Sequence, residues 1–258
     1  MMPGVVTYTV SEGIAEIVLT RPPVNALNRE AVRALIAALQ RATVDESVRA
    51  VIIASGTPRR FCAGLDIDQM QGKSTMEVHE LLTALYVDLH QAQIKLGKPS
   101  IAAIAGAARG AGMTVAISCD VILCGQSATF GYPEIDIGLI PGIHFSHLPR
   151  IIGKHRAFEL LFSGRTFDAL EAASLGLVSC VVSDGSVMPE ARELARTFAS
   201  KPSTVMRLAK AAFVRATDLD YQKNVADVVE TFCTVAATDE AREGMAAFAE
   251  KRAPLWKK

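Results

Sequence analysis

One carboxylate in the sequence, Glu134, has surroundings suited to proton transfer. It follows Pro133 within a largely apolar stretch, residues 130–142. A carboxylate in such surroundings loses hydration, which raises its pKa toward the value that a general acid or base needs at neutral pH. Taken alone, the pattern favours an ordinary solvated or hydrogen-bonded surface carboxylate, so a catalytic role for Glu134 needs support from other motifs.

A glycine-rich turn in the run 101–120 could present a backbone N–H group to a developing negative charge. Residues 101–105 form an uninterrupted apolar segment typical of a buried strand, and Gly110 and Gly112 flank the predicted start of a helix. The first N–H groups of a helix have no intrahelical acceptor and lie at the positive end of its dipole. We therefore predict that Ala111 N–H is such a donor; close packing of helix on strand is the alternative role for these glycines.

A second turn, residues 63–66, offers another backbone donor. Gly64 allows a tight turn, after which Leu65 N–H can point into a cavity. Two backbone donors directed at one oxygen atom would form an oxyanion hole. The sequence thus suggests that Leu65 and Ala111 act together, although most glycines of this kind only shape loops.

Two histidines lie near the candidate base but do not predict a metal site. His144 and His147 follow Gly142 closely, and Glu134 and Asp136 lie upstream. Two histidines are too few for the usual zinc ligand sets, so we predict no metal and expect the pair to line a pocket or to be structural.

The cysteines do not indicate a disulfide framework or a reactive thiol. They are odd in number and contain no CxxC pair, which is typical of free thiols in a cytosolic protein. Cys62 lies beside the second turn without an evident base, so a buried structural thiol is expected there. The five are Cys62, Cys119, Cys124, Cys180 and Cys233.

Composition limits the classes of partner. The chain has 258 residues, 50% of them hydrophobic, with 27 basic and 27 acidic residues. This balance predicts no nucleic-acid partner and no attraction to an anionic membrane surface. No segment approaches a membrane span and the N-terminus lacks signal-peptide features, so we expect a cytoplasmic protein. The run 101–120 also lacks the GxGxxG and P-loop patterns of nucleotide-binding proteins.

Strand and helix signals alternate along most of the chain, which predicts an α/β fold with a parallel sheet. Beyond Pro189 helical patterns dominate, so we divide the chain into a core, residues 1–189, and a helical region, residues 190–258. The predicted strands are 14–20, 50–54, 101–105 and 121–124, and the predicted helices begin after Asn28 and span 76–96.

Six segments spread along the chain form a recognisable set: Pro22-Pro-Val-Asn-Ala-Leu27, Phe61-Cys-Ala-Gly-Leu-Asp66, the run 101–120, Pro133-Glu134, Gly138-Leu-Ile-Pro-Gly142, and residues 237–252. With this set the chain resembles the crotonase superfamily, also called the enoyl-CoA hydratase/isomerase family, over nearly its full length. The resemblance implies a crotonase-like spiral of ββα turns with a C-terminal helical oligomerisation region, assembled as a homotrimer or hexamer.

The resemblance also implies an acyl-CoA thioester as substrate, with coenzyme A as part of that substrate and no separate cofactor. Leu65 N–H and Ala111 N–H would bind the thioester oxygen, and Glu134 would move a proton. Ala111 replaces a glycine common in the family but keeps the N–H. The further residues expected to contact substrate are Ala63, Gly64, Asp66, Ile67, Gly110, Thr114, Gly142 and His144.

Departures from the family pattern bear on the reaction. Family hydratases place a second glutamate where this chain has Thr114, whose hydroxyl is too weak a base to activate water alone. Dienoyl-CoA isomerases, a hydroxyacyl-CoA hydrolase and an aroyl-CoA dehalogenase place an aspartate at the equivalent of Gly142, and its absence argues against all three. A single carboxylate beside an oxyanion hole is similar to the 3-enoyl-CoA to 2-enoyl-CoA isomerases, which makes isomerisation the leading hypothesis.

Two alternatives stay open. The first is a hydratase whose water is held by Thr114 or by a histidine of residues 142–147, a segment where large side chains should narrow the acyl path. The second is an acyl-CoA-binding protein that has kept the fold and lost the chemistry. The roles of Arg109, His144 and His147 are not determined by the sequence.

Overall fold

The computed structural model of the protein describes residues 4–70, 73–217 and 221–257. The strands in these ranges are β1 (Val6–Ser11), β2 (Ile14–Leu19), β3 (Ala50–Ser55), β4 (Arg60–Cys62), β5 (Ser100–Ile104), β6 (Ala107–Arg109), β7 (Val121–Gly125), β8 (Thr129–Gly131), β9 (Thr166–Asp168) and β10 (Cys180–Val182). The α-helices are α1 (Arg29–Val44), α2 (Thr75–Thr83), α3 (Leu89–Lys95), α4 (Ala111–Ile117), α5 (His144–Ile152), α6 (Lys154–Ser163), α7 (Ala169–Ser174), α8 (Val187–Ala199), α9 (Ser203–Thr217), α10 (Tyr221–Ala236) and α11 (Asp239–Ala249).

Two sheets organise the core. The larger has the order β1-β2-β3-β5-β7-β10, and the smaller has the order β4-β6-β8-β9. Pairing is antiparallel between β1 and β2 and parallel from β2 to β10. Three successive turns of chain, β3-β4-α2, β5-β6-α4 and β7-β8-α5, each give one strand to the larger sheet, a short strand to the smaller sheet and then a helix. The α/β fold with a spiral of ββα turns is therefore confirmed.

The amphipathic helix predicted after Asn28 is confirmed as α1. The Asn28 side chain accepts a hydrogen bond from Ala31 N–H at 2.8 Å, which satisfies one of the free donors of the first turn. Val32, Leu35 and Leu39 form its buried face. Side chains three and four residues apart lie on one face of a helix, and that face covers the larger sheet.

The run 101–120 contains a strand that the sequence pattern does not predict. The buried strand β5 is present as expected, but β6 lies between Gly106 and the helix α4 and belongs to the smaller sheet. A methyl group at Gly106 would lie 2.1 Å from the Arg59 carbonyl carbon, so glycine permits the close approach. Ala107 N–H donates to Arg59 O at 3.1 Å, which starts the pairing of β6 with β4. The strict strand–turn–helix interpretation was therefore wrong.

The helix predicted over 76–96 is continuous but not uniform. Between α2 and α3 the segment Ala84–Asp88 is a π-helix, in which the hydrogen bonds span five residues rather than four. Apolar periodicity alone does not reveal so short a segment, which covers only about one helical turn. Leu85 and Tyr86 within it are buried.

Helices dominate the end of the chain, as predicted. The predicted boundary at residue 190 falls inside α8, whose Ala191 and Ala195 are buried against the larger sheet. Further on, α11 packs on the short 3₁₀ helix Pro133–Ile137: a methyl group at Gly244 would lie 2.2 Å from Ile137 O. The C-terminal helices thus hold in place the segment that carries Glu134. Among the described helices, none is long and apolar enough to cross a membrane.

Gly112 provides a test of the contact between α4 and β4. A methyl group at Gly112 would lie 2.5 Å from Cys62 O, so Gly112→Ala forces the helix away from the strand and should lower the free energy of unfolding by about 1–3 kcal/mol. Urea denaturation measures this change. Gly185→Ala is the control, because among the described residues no atom beyond its two chain neighbours lies within 4 Å of that added methyl group. Equal stability of the two variants would contradict the close packing described here.

Candidate active site

Two turns far apart in sequence meet at the N-terminal end of α4. Gly64 has φ +106°, a conformation that favours glycine, and it faces the turn before the helix. A methyl group at Gly64 would lie 3.3 Å from Arg109 O and 3.7 Å from Ala111 N. The structure therefore brings the loop 63–66 against the first residue of α4.

The N–H groups of Leu65 and Ala111 are not used by the surrounding backbone. Leu27 N–H donates to Gly64 O, and Asp66 N–H donates to Leu27 O. These two hydrogen bonds pair Leu27 with the segment 64–66 and do not involve Leu65 N–H. Ala111 is the first residue of α4, where no intrahelical acceptor exists. Neither group has an acceptor among the residues the structure describes. Two free donors on adjoining turns are the arrangement that an oxyanion hole requires.

An ion pair braces the loop that carries Leu65. Arg21 Nη2 lies 2.6 Å from Asp66 Oδ2, and Arg21 Nη1 donates to Ala26 O at 2.9 Å. Asn25, which is 1% exposed, donates to Phe61 O at 3.1 Å from the same side. The Asp66 carboxylate is thus engaged in holding the loop, and its predicted contact with substrate stays a prediction.

Gly110 lets the Glu134 carboxylate reach this turn. Its φ of +48° and ψ of −117° are accessible to glycine, and a methyl group there would lie 2.6 Å from Glu134 Oε1. A side chain at residue 110 would displace the carboxylate. The glycine therefore serves both the turn geometry and the position of the candidate base.

The environment of Glu134 favours its protonated form. The residue is partly exposed as a whole, but its Oε2 atom is buried and has no hydrogen-bond partner in the described structure. Burial raises the pKa of Glu134 to about 7, because an ionised carboxylate loses hydration there. A carboxyl group with this pKa can both accept and return a proton near neutral pH.

Thr114 and His144 form a buried polar pair that begins at the same turn. Thr114 N–H donates to Gly110 O at 3.2 Å, and Thr114 Oγ1 lies 3.4 Å from His144 Nε2. The two residues are 4% and 1% exposed. Burial, together with the charge that His147 would carry, holds the pKa of His144 well below its usual value. The imidazole is therefore neutral at neutral pH.

Tyr132 is a site residue that the sequence analysis missed. It is fully buried, and its ring centroid lies 4.5 Å from that of His144. Burial and the nearby Glu134 carboxylate raise the pKa of Tyr132, so the phenol keeps its proton. Its position two residues before Glu134 was the available signal, but Tyr132 follows the three-residue strand β8, which is too short for alternation to show which neighbouring residues face inward.

Other predicted residues lie at the margin of this group. The Arg109 guanidinium donates to Thr129 O at 2.6 Å and joins β6 to β8. A methyl group at Gly142 would lie 2.8 Å from Val228 Cγ1, so this glycine packs on α10. Ala63 is exposed, and Ile67 is half-buried against the core. The predicted substrate contacts of Gly142, Ala63 and Ile67 stay predictions.

Cys62 has the surroundings expected of a structural thiol. Cys62 is fully buried, and burial raises the pKa of its thiol to about 12. The described residues include no group of three or more His, Cys, Asp or Glu side chains placed to hold a metal ion.

The raised pKa of Glu134 makes the stability of the fold depend on pH. Between its unfolded value near 4.5 and its folded value near 7, the native state binds more protons than the unfolded state, so stability falls as pH rises through this window. Glu134→Gln removes this effect and should stabilise the protein relative to wild type by up to about 3 kcal/mol at pH 8, with little difference below pH 4.5. Urea unfolding across this pH range measures it, with Glu46→Gln at an exposed carboxylate as control. If the difference in the free energy of unfolding between Glu134→Gln and wild type does not change with pH, the buried carboxyl group with a raised pKa is contradicted.

Sequence comparison finds relatives of the chain that are named as acyl-CoA hydratases. It is 38% identical to "Probable enoyl-CoA hydratase 2, mitochondrial" of Arabidopsis thaliana, over 95% of this chain and 81% of that protein. It is 34% identical to "Crotonyl-CoA hydratase" of Syntrophomonas wolfei, over 93% of each chain.

Solved structures agree with these relatives. The enoyl-CoA hydratase/isomerase from Pseudoalteromonas atlantica is 30% identical, with a TM-score of 0.85 over 97% of this chain and 98% of that one. The enoyl-CoA hydratase from Mycobacterium avium subsp. paratuberculosis is 25% identical, with a TM-score of 0.87 over 98% of both chains. A sequence profile described as "Enoyl-CoA hydratase/isomerase" matches residues 9–258. The paired donor turns and the buried carboxyl group agree with these full-length similarities. Together they show that the chain belongs to the enoyl-CoA hydratase/isomerase family.

Proposed function

We propose that the protein isomerises a 3-enoyl-CoA to a 2-enoyl-CoA, with Glu134 as the proton shuttle. The observation that carries this proposal is the buried carboxyl group of Glu134 against Gly110, beside a helix whose first turn presents Thr114 rather than a second carboxylate. One base is sufficient for this reaction, because the proton that leaves one carbon returns to another.

The proposed steps conserve atoms and charge. Glu134 removes a proton from C2, and the electrons of the broken C–H bond spread over a dienolate whose negative charge rests on the thioester oxygen. Leu65 N–H and Ala111 N–H donate hydrogen bonds to that oxygen and stabilise it. The same proton then passes from Glu134 to C4, which leaves the double bond between C2 and C3.

The surroundings of Thr114 argue against efficient addition of water. A threonine hydroxyl does not deprotonate water, so a base behind it would be needed. His144 Nε2 is 3.4 Å from Thr114 Oγ1, but the depressed pKa of His144 makes protonation of this imidazole costly. The pair can hold a water molecule more readily than it can activate one.

Hydration of a 2-enoyl-CoA is the second candidate, favoured by two observations. Relatives at 34–38% identity are named as hydratases. The contact between Thr114 and His144 also offers polar atoms that could orient water opposite Glu134. In a hydratase of this kind Glu134 would carry out the proton transfers. Thr114 and His144 would hold the water in position without deprotonating it.

A paired assay with Glu134→Gln tests the proposal. Purified protein receives a 3-enoyl-CoA and a 2-enoyl-CoA of equal chain length, and the products are analysed by mass. We expect a shift of the double bond without gain of water, reduced about 10²–10⁴-fold in Glu134→Gln because the general base is lost. Glu46→Gln serves as the control at an exposed carboxylate.

The other outcomes separate the alternatives. Gain of water on the 2-enoyl substrate, lost in Thr114→Val, would establish a hydratase and overturn the isomerase proposal. Binding of acyl-CoA without turnover of either substrate would support the non-catalytic alternative.

The pH profile of isomerisation gives an independent check. The proton-abstracting form of Glu134 is the carboxylate, so kcat/KM for the 3-enoyl-CoA should rise with pH and reach half its plateau near pH 7. Initial rates between pH 5 and 9 measure this profile. A plateau that extends down to pH 5 would show that a group with an unshifted pKa, rather than this buried carboxyl group, is the base.

Assembly and location are part of the same proposal. The exposed apolar side chains of Phe158 on α6 and Phe213 on α9, at 58% and 69% exposure, support burial in a homotrimer or hexamer. Among the described residues of α9, none is buried within the chain. Mass photometry of the purified protein measures the assembly. The cytoplasmic location stays a prediction.

A further inference from the structure

Two neighbouring cavities lie beyond Thr114, away from the donor turns. The larger, which we call the outer chamber, has a volume of about 590 Å³ and is bounded by Gln93 of α3, Ser118 after α4, Ser146 of α5 and Phe213 of α9. The smaller, which we call the neck, has a volume of about 10 Å³ and is lined by Leu85, Leu89 and Thr114 among others. Four residues line both cavities: His90, Ile117, Ser118 and His147. The neck is therefore adjacent to the outer chamber.

Along α4, the neck lies between the proposed reaction centre and this chamber. Thr114 lies one helical turn after Gly110, the glycine against which the Glu134 carboxylate packs. A helix rises about 1.5 Å per residue, so Ile117, which lines both cavities, lies roughly 10 Å beyond the turn. An acyl chain that starts at the donor turns and runs along α4 meets the neck first and the chamber second.

We propose that the outer chamber binds the distal part of the acyl chain and that this part carries a hydroxyl group. This inference rests on the proposed function, because it takes the acyl-CoA to bind at the Leu65 and Ala111 donors. It goes further by assigning a second subsite and the chemical class of its ligand, a long acyl chain with a neutral hydrogen-bond donor near its end.

Gln93 is the residue that indicates a polar ligand. Its side chain is 2% exposed and lines the chamber, and Nε2 donates to Ser118 Oγ at 3.4 Å and to Cys119 Sγ at 3.5 Å. Its Oε1 atom is buried and has no donor among the described residues. A buried amide oxygen without a partner is costly, so a ligand hydroxyl that donates to it would gain affinity.

The charged side chains that line the chamber include one ion pair and Arg150. Asp120 and Lys210 both line it, and they pair with each other at 2.7 Å. Lys210 Nζ also donates to Lys98 O at 3.0 Å. A carboxylate has no proton to donate to Gln93 Oε1, so a neutral hydroxyl fits this part of the chamber better than a carboxylate does.

The neck explains how chain length would be selected. Its volume is close to that of one water-sized probe, so a chain passes when the side chains of Leu85 and Leu89 change position. Leu85 belongs to the π-helical segment Ala84–Asp88, a type of irregularity that is common at functional sites. The substrates that use the chamber are therefore long, and a four-carbon acyl group does not reach it.

The test compares three synthetic substrates: 3-butenoyl-CoA, 3-decenoyl-CoA and 10-hydroxy-3-decenoyl-CoA. We expect wild type to have a higher kcat/KM for the hydroxylated decenoyl-CoA than for the plain one, by about three- to tenfold for one added hydrogen bond. Gln93→Leu, which removes the amide oxygen at nearly constant size, should bring this ratio close to one. Gln91→Leu is the matched control on the same helix, because Gln91 does not line the chamber, and it should keep the wild-type ratio.

A second pair of variants tests the chamber without relying on Gln93. Ser146→Trp places a large ring in the chamber from the half-buried face of α5 and should lower kcat/KM for 3-decenoyl-CoA relative to 3-butenoyl-CoA by about tenfold or more. Glu190→Trp, at an exposed position of α8 outside the lining, should keep the wild-type ratio.

The outcomes separate this inference from the proposed function. If 3-butenoyl-CoA is isomerised but wild type shows no preference for the hydroxylated chain, or Gln93→Leu keeps that preference, the chamber assignment is wrong and the isomerase stands. If no substrate is isomerised, dissociation constants of the same thioesters, measured by calorimetry on the same variants, take the place of kcat/KM. A hydroxyl preference in those constants that disappears in Gln93→Leu would support the chamber although the isomerase proposal had failed, and its absence would overturn the chamber as well.

Discussion

The site depends on the contact between a carboxyl group and a residue without a side chain. Glu134 Oε1 lies 2.6 Å from the point where a Cβ atom at position 110 would be, so only glycine leaves room for it. The same glycine follows β6 and precedes α4 with a positive φ, so Ala111 N–H emerges beside the carboxyl group. The candidate base and one candidate donor are therefore placed by a single turn, and a change in that turn moves both.

The rest of the fold holds the two sides of this contact. On one side, the 3₁₀ helix that carries Glu134 is covered by α11. Gly244 of α11 permits the close approach to Ile137 O, and Gly138 at the end of the 3₁₀ helix permits the close approach to Glu240 O. On the other side, Gly112 brings α4 onto Cys62 of β4. The C-terminal helices thus contribute to the site without supplying a described polar group to it.

Burial gives the neighbouring polar groups different chemical roles. It raises the pKa of Glu134 to about 7, so both forms of this carboxyl group are present at neutral pH. It lowers the pKa of His144, whose imidazole stays neutral, so only Glu134 exchanges its proton easily there. Tyr132, whose ring packs against that of His144, remains a phenol. One group is suited to proton transfer and the other two to holding or orienting a ligand, and this difference supports a mechanism with one base.

The sequence by itself determined the elements whose signals are local. The apolar strand β5, the Asn28 cap of α1, the glycine turns with Leu65 and Ala111, and Glu134 in an apolar stretch could all be predicted, because each depends on residues close together in the chain. The motifs that resemble the family also predicted the spiral fold. Only the tertiary structure decided which of these residues meet. The three-residue strand β6 is too short to show a period, and it exists because Gly106 lets two backbones pair.

Tyr132 and the partnerless amide oxygen of Gln93 carry no local signal, because burial and the absence of a hydrogen-bond partner depend on residues distant in sequence. Residue type sets what each group can do, whereas packing between distant segments sets its hydration, its pKa and its partners, and so decides which groups form a site.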